Sequence, residues 1–279
     1  MNCKVCQSNK IRFYRKVNNY NLLKCKNCRV IFLENIDELI DSQNFYNEDY
    51  FENYLYESEL NFEQIKNTAK YYLTYIQKNF GVVQSVLDVG AGFGLFVKAF
   101  RELGLKAEGV EISKYSAKTA LEKFKVELFN DELIKYPSNE KFDLICFYHS
   151  FEHLPDPVSY ITKASELLSN RGILWLSLPN VMSLDRFLNK DKWNGWSLPY
   201  HLFHYSPSSI RKLLLITGFN KIKIQKSFLN PLRLIRRNDG ARNLEISGSI
   251  NYSRLKEIVR LPATLIFTGQ NMNVFALKK

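Results

Sequence analysis

The sequence predicts an α/β fold: a Rossmann-like sheet with helices on both faces, preceded by a small zinc ribbon. Two C-x2-C pairs stand near the N-terminus, Cys3/Cys6 and Cys25/Cys28. A β-branched run, Ser85 to Val89, enters a G-x-G-x-G turn at Gly90, Gly92 and Gly94 and then a helical pattern. Further on, apolar runs such as "KFDLICFY" and "GILWLSLPN" alternate with helix-patterned segments, the order that builds a parallel sheet. With 279 residues the chain can bury one large core and carry one small appendage.

The front element spans residues 1–33. Eighteen residues separate its two cysteine pairs, the spacing of a four-thiolate zinc site, and "IRFYRKV" and "YNLLKC" form the hairpin around Asn18-Asn19. So short a stretch cannot bury enough apolar surface alone, so the metal supplies the missing stability. The fifth cysteine, Cys146, lies inside an apolar run and reads as a small buried residue. Residues 34–79 form an acidic, tyrosine-rich connector. Tyr46, Tyr50 and Tyr54 recur every four residues, one helix face that serves packing or ligand contact, and 61–79 is an amphipathic helix.

Residues 80–279 form the main domain. A glycine turn between strand and helix is weak evidence alone, and "KAEGVEIS" strengthens it by ending a second strand at Glu111, where a carboxylate can accept from ribose hydroxyls. Asp88, just before the first glycine, disfavours a pyrophosphate and suits a cationic amino acid moiety.

At these residues the sequence resembles the class I S-adenosylmethionine (SAM) methyltransferases, with "LDVGAGFG", "GVEIS" and "LLSNRGILWLSLPN" at successive motif positions. The resemblance implies a seven-stranded sheet and SAM as cofactor, with Gly90, Gly92 and Gly94 against its methionine and ribose and Glu111 on the ribose. Asp131 is implied at the adenine, with Asn130 as the alternative position.

All four histidines fall in two segments, "YHSFEHLPDP" and "SLPYHLFHYSP", which leave adjacent strands at the carboxyl edge of the sheet, where open α/β sheets keep their active crevice. His149, Glu152 and His153 satisfy the letters of a zinc protease motif, but Pro155 and Pro157 end any helix that site would need. Two roles remain. His153, oriented by Glu152, acts as a metal-free base, or His149, Glu152, His153 and His201 or His204 hold a metal, as a Glu-x-x-Glu-His does in similar O-methyltransferases. His149 in place of the first glutamate favours the base.

Between the fifth strand and the next helix, residues 183–205 form a long insertion in which Trp193 and Trp196 read as a substrate lid or as anchors. The order ribbon, "FYNEDYFENY", methyltransferase with "SFEHL" resembles bacterial enzymes of cell-surface polysaccharide and deoxysugar biosynthesis. That resemblance implies O-methylation of a nucleotide-linked or lipid-linked sugar, with Tyr50, Trp193, Trp196, His201 and His204 toward the substrate. Sugar C-methylation, RNA methylation and a non-catalytic SAM-binding scaffold are the alternatives. The sugar C-methyltransferases carry a further C-terminal domain absent here, and no "NPPY" follows the fourth strand.

The net charge of +11 divides into +8 for residues 1–33, +9 for 220–279 and therefore −6 between them. Basic ends suit a diphosphate, a lipid headgroup or RNA, or are simply solvated faces. Segments 230–243 and 254–267 set apolar residues beside arginines, for packing or peripheral membrane contact. No 18-residue apolar run and no secretory signal occur, so the expected location is the cytoplasm.

Overall fold

A computed structural model describes residues 1–40, 51, 62–137, 139–226 and 269–279. Tyr46, Tyr50, Tyr54 and the basic segments 230–243 and 254–267 lie outside the described residues.

The central sheet has the order β5-β4-β6-β7-β10-β9. Strands β4 (Ser85–Val89), β5 (Lys106–Val110), β6 (Phe142–Tyr148) and β7 (Leu168–Pro179) run parallel, and β10 (Asn271–Lys278) inserts antiparallel between β7 and β9 (Phe219–Lys226). Among the described residues this is six strands where seven were expected. The seventh position is a single bridge between Val110 and Phe129, because the segment beside β5 turns away after one residue.

The strands' two-residue period divides the core into two layers. Val86, Leu144, Cys146, Ile173, Trp175 and Phe275 face one side, where α2 (Phe62–Phe80), which follows the short α1 (Ile36–Ile40) in the chain, and α3 (Leu95–Glu102) cover them. Leu87, Ile145, Phe147, Leu174, Leu176 and Val274 face the other, beneath α5 (Pro157–Leu167) and α7 (Pro207–Ile216). Helix starts are written locally: Ser113 caps α4 (Lys114–Phe124), Asp156 caps α5, and Ser206 with Ser209 forms a capping box on α7.

The front element is a hairpin of β1 (Ile11–Val17) and β2 (Tyr20–Cys25), extended by β3 (Ile31–Leu33). It does not stand apart. On its open edge β3 pairs with β8 (Phe203–His204) in the long insertion, and Cys3, Cys25 and Cys28 share one hydrophobic core with Phe151, Phe203 and Tyr205. The four-stranded sheet β1-β2-β3-β8 thus runs from the front element into the insertion at 183–205.

Candidate active site

Three parts meet at the carboxyl edge of the sheet. The first is the glycine turn. Gly90, Gly92 and Gly94 all have positive φ. At Gly90 a Cβ would come within 2.4 Å of the Ser150 Cβ, so the turn is pressed against the loop leaving β6, and the Ser150 hydroxyl donates to the Val89 carbonyl. At Gly92, with φ +55°, a Cβ would meet nothing within 4 Å, which leaves bare backbone facing open space.

Glu111 follows β5 and is buried. Its Oε2 accepts from the Gly92 N–H at 2.8 Å and its Oε1 from the Ser113 N–H at 2.8 Å, and each oxygen keeps a lone pair for a ligand hydroxyl. Burial pushes its carboxyl up to about 7 against those two backbone bonds, with the Asp88 charge adding to the rise. Asp88 is buried and pushed up to about 6, while the Cys146 thiol donates to its Oδ1 at 3.2 Å. Cys146 thus fills a core position and also holds a site carboxylate. Asp131 pairs with Lys135 at 2.9 Å, whereas the Asn130 amide donates to the Glu111 carbonyl at 2.7 Å and fixes the backbone behind that carboxylate.

The third part is the histidine cluster. His149 ends β6 in the left-handed conformation, φ 54°, and the 3-10 turn Phe151–His153 follows. A non-glycine residue held there marks a backbone fixed by its surroundings. Glu152 is 1% exposed, and neither carboxylate oxygen has a hydrogen-bond partner among the described residues. Its Oε1 lies 3.6 Å from His149 Nδ1 and 3.9 Å from His201 Nε2. One ligand atom each of Glu152, His153 and His201 lies within 4.8 Å of the others. His201 Nδ1 is 3.0 Å from the Gly195 carbonyl, which requires the proton on Nδ1 and leaves the neutral ring's Nε2 lone pair toward Glu152. The rings of His153 and His201 meet edge to face at 4.7 Å. His204, buried against Trp196, lies a step behind, 6.4 Å from His201.

Burial opposes ionisation of Glu152, but His149, His201 and His153 around it outweigh that and hold its carboxyl down at about 2. Burial holds His153 at about 4 and His204 at about 3, and lowers His201 as well. An ionised carboxylate buried here is a negative charge that a proton on a neighbouring imidazole or a cation would compensate.

Trp193 and Trp196 do not form an exposed stacking surface. Both are 2% exposed, packed edge to face at 5.1 Å, and the Trp196 indole N–H donates to the Lys190 carbonyl. Their separation by two small or polar residues turns both inward beneath α6 (Leu184–Asn189), so they anchor the insertion.

Two neighbours of the site were not singled out from sequence. Asn271 Nδ2 approaches His149 Nε2 at 3.4 Å, and Asn273 links the Trp175 indole N–H and the Tyr72 hydroxyl at 3.0 and 2.8 Å. The alternation N-M-N at the head of an apolar strand was their signal.

Residues 43–224 match the family described as Methyltransferase domain. The chain belongs to this family. Among curated relatives, the methyltransferase is 32% identical over 104 residues to the ubiquinone biosynthesis O-methyltransferase of Xanthomonas campestris pv. campestris (strain B100), 34% of this chain and 43% of that protein. It is 26% identical over 189 residues to the ubiquinone biosynthesis O-methyltransferase of Thiobacillus denitrificans (strain ATCC 25259 / T1), 64% of this chain and 73% of that protein. The methyltransferase spans about half the length of several curated relatives it matches. In fold it is similar to a SAM dependent methyltransferase from Archaeoglobus fulgidus, with TM-score 0.58, 22% identity and coverage of 81% and 99% of the two chains. A second likeness is the plantazolicin methyltransferase BpumL in complex with SAH, with TM-score 0.57, 18% identity and coverage of 88% and 98%.

Four of the chain's five cysteines, Cys3, Cys6, Cys25 and Cys28, form a candidate metal centre apart from the histidines. Their Sγ atoms lie within 4.8 Å of one another, with Cys3–Cys28 at 3.5 Å and Cys6–Cys25 at 3.6 Å. A tetrahedral zinc with arms of about 2.3 Å has S···S edges of about 3.8 Å, so the set fits one ion. The Cys28 N–H and the Asn27 amide point at the Cys25 and Cys6 sulfurs, the outer-shell contacts that thiolates take up. No helix among the described residues is long and apolar enough to cross a membrane.

Proposed function

We propose that this chain transfers the methyl group of SAM to a hydroxyl of a sugar carried on a diphosphate, either nucleotide-linked or lipid-linked. The observation that carries the reading is the contact between the glycine turn and the Glu152–His153–His201 cluster through Ser150, which brings a cofactor cleft and a proton-accepting group to one edge. SAM, when bound, supplies an electrophilic methyl on a sulfonium. Gly92 offers it bare backbone in a turn that Gly90 and Gly94 let close against Ser150 and Val126, Glu111 accepts from its ribose, and Asp88 faces its ammonium end. Asp131, engaged by Lys135, is the adenine-side residue of this reading. His153, beside the Glu152 carboxylate, accepts the proton of the attacking hydroxyl, and burial of Glu152 keeps water from that carboxylate. O-methylation also accords with the curated relatives, named for O-methyl transfer in ubiquinone biosynthesis.

The diphosphate part rests on the ribbon's outer face. Arg12 and Lys24 stand opposite each other across β1 and β2, an arrangement that is unfavourable without an anion. The Tyr14 ring has Lys24 Nζ at 5.4 Å, and its hydroxyl receives Arg186 of α6 at 3.4 Å. Burial lowers the Lys24 pKa, and Arg12, Arg186 and Arg29 lower it further. Labelled SAM incubated with nucleotide sugars, polyprenyl-diphosphate sugars and RNA tests the class: label in a sugar ether supports it, label in RNA or on carbon replaces it, and none with any acceptor favours a scaffold.

One observation favours a second reading of the histidine cluster. Among the described residues both Glu152 oxygens lack hydrogen-bond partners, while imidazole nitrogens of His149 and His201 face one of them, a donor set of nitrogen and carboxylate suited to zinc or iron. An ion held by Glu152, His153 and His201 would lower the pKa of a bound hydroxyl. With one zinc at Cys3, Cys6, Cys25 and Cys28, this reading expects two ions per chain by elemental analysis and one in Glu152→Gln. A single ion in the unaltered chain returns the cluster to metal-free base chemistry.

The Glu111 carboxyl, held near 7 by burial, gives a pH prediction. Ribose hydroxyls bind its ionised form, so SAH affinity is expected to rise with pH through about 7, by up to tenfold per unit below it. Calorimetry from pH 5.5 to 8.5 checks this, and Glu111→Gln should bind at least tenfold more weakly at pH 8 with a flat profile.

A further inference from the structure

We propose that the ribbon is a working wall of the histidine site, in which Phe32, Leu33 and Leu202 are positioning residues for Glu152, His201 and His204. This inference rests on the cluster being the site, and goes beyond its chemistry to what holds it in place.

Two continuous lines of contact run from β3 to the turn that carries Glu152. The first is backbone. The Leu33 N–H donates to the Leu202 carbonyl at 2.9 Å, and the Leu202 N–H donates to the Glu152 carbonyl at 2.9 Å. The second is aromatic. Phe32 meets Phe203 at 6.2 Å, Phe203 stacks on Tyr205 at 6.1 Å, and Tyr205 stacks on Phe151 at 5.5 Å. All four rings are buried, and Phe151 immediately precedes Glu152.

Both ends of this bridge are short elements. β8 has two residues, and its sheet partner is β3, with Ile31 opposite His204 and Phe32 opposite Phe203. Past His204 the chain is tied to β7's exit by the Val181 N–H donating to Tyr205, and before it His201 is tied back to Ser197 and Gly195. Leu202 and Phe203, between those anchors, rest on the ribbon. The Glu152 turn is a single 3-10 turn whose carboxylate makes no hydrogen bond of its own among the described residues. The main sheet holds the start of this turn, through the Ser150 hydroxyl on Val89, the His149 N–H on Ser177 and Phe147 against Phe151, and the ribbon holds it from the other side through the Glu152 carbonyl and the Tyr205–Phe151 stack, two lines that lead to β3.

The test needs no methyl acceptor, so its failure is distinct from failure of the proposed reaction. Four histidines give four imidazole spin systems in a 1H–15N spectrum, assignable by single His→Asn variants. Leu33→Pro removes the one N–H that holds Leu202. The expected result is a shift or broadening of the His201 and His204 imidazole signals, with SAH affinity within twofold and the four-cysteine ion retained. Unmoved His201 and His204 signals would overturn the proposal. If Leu33→Pro does not fold, Phe32→Leu takes its place, a near volume-conserving change that interrupts only the aromatic line. In the unaltered chain, removal of the cysteine-bound ion should raise amide exchange of Leu33 and Leu202 together, and a Leu202 amide that stays protected would equally overturn the proposal.

Discussion

Glu152→Gln is expected to lower turnover by about 10²–10⁴ while SAH affinity stays within twofold, because the substitution touches the cluster proposed to accept the proton and leaves the glycine turn alone. The side chain keeps its volume, so the fold should hold. Quantitative methyl transfer from labelled SAM, alongside calorimetry with SAH, separates the two effects. Whether the carboxylate orients His153 or holds an ion, its charge is required, and a variant that turns over normally would remove Glu152 from the chemistry. The converse variant, Glu111→Gln, should weaken cofactor binding while leaving the rate at saturation closer to normal.

Cys25→Ser is expected to lower the main unfolding transition of the whole chain by about 10 °C, corresponding to about 3–5 kcal/mol for a domain of this size. Structural zinc contributes about 10–16 kcal/mol to small zinc domains, and a missing thiolate forfeits part of that. The loss reaches the main domain because Cys25 and Cys28 share a core with Phe151 and Tyr205. Calorimetry of the variant should give one transition at lower temperature. An early separate transition with the main one unmoved would mean that the ribbon folds by itself.

The parts of this architecture that were legible in the sequence are those written locally. Ser85–Val89 is the strand expected, because Val86, Leu87 and Val89 in a five-residue run before a glycine turn have few alternatives. The helix expected at 61–79 is Phe62–Phe80, placed by its 3.6-residue pattern. The carboxyl-edge position of His149, Glu152, His153, His201 and His204 followed from counting strands. What the sequence hid depends on partners distant along the chain. Trp193 and Trp196 have the composition of a lid and lie in the core, since burial is decided by what covers them. Nothing near Ile31 announces that its strand partner is His204. The left-handed backbone at His149 has only a weak residue-type signal, since histidine enters that region more readily than most side chains but does so at few of its positions.

The pairing of β3 with β8 joins Ile31 and His204, positions about 170 residues apart. On a ribosome adding about 5–20 residues per second, β3 is made about 10–35 s before the residues that cover its edge exist. During that interval Ile31, Phe32 and Leu33 form an apolar strand with one open side, the kind of edge that recruits a second chain. The eight lysines and arginines of residues 1–33, with no acid among them, supply mutual repulsion between nascent copies over that wait. The charge of the ribbon thus has a use before the enzyme is complete, as protection for an edge that is sealed only when the second histidine segment has been synthesised.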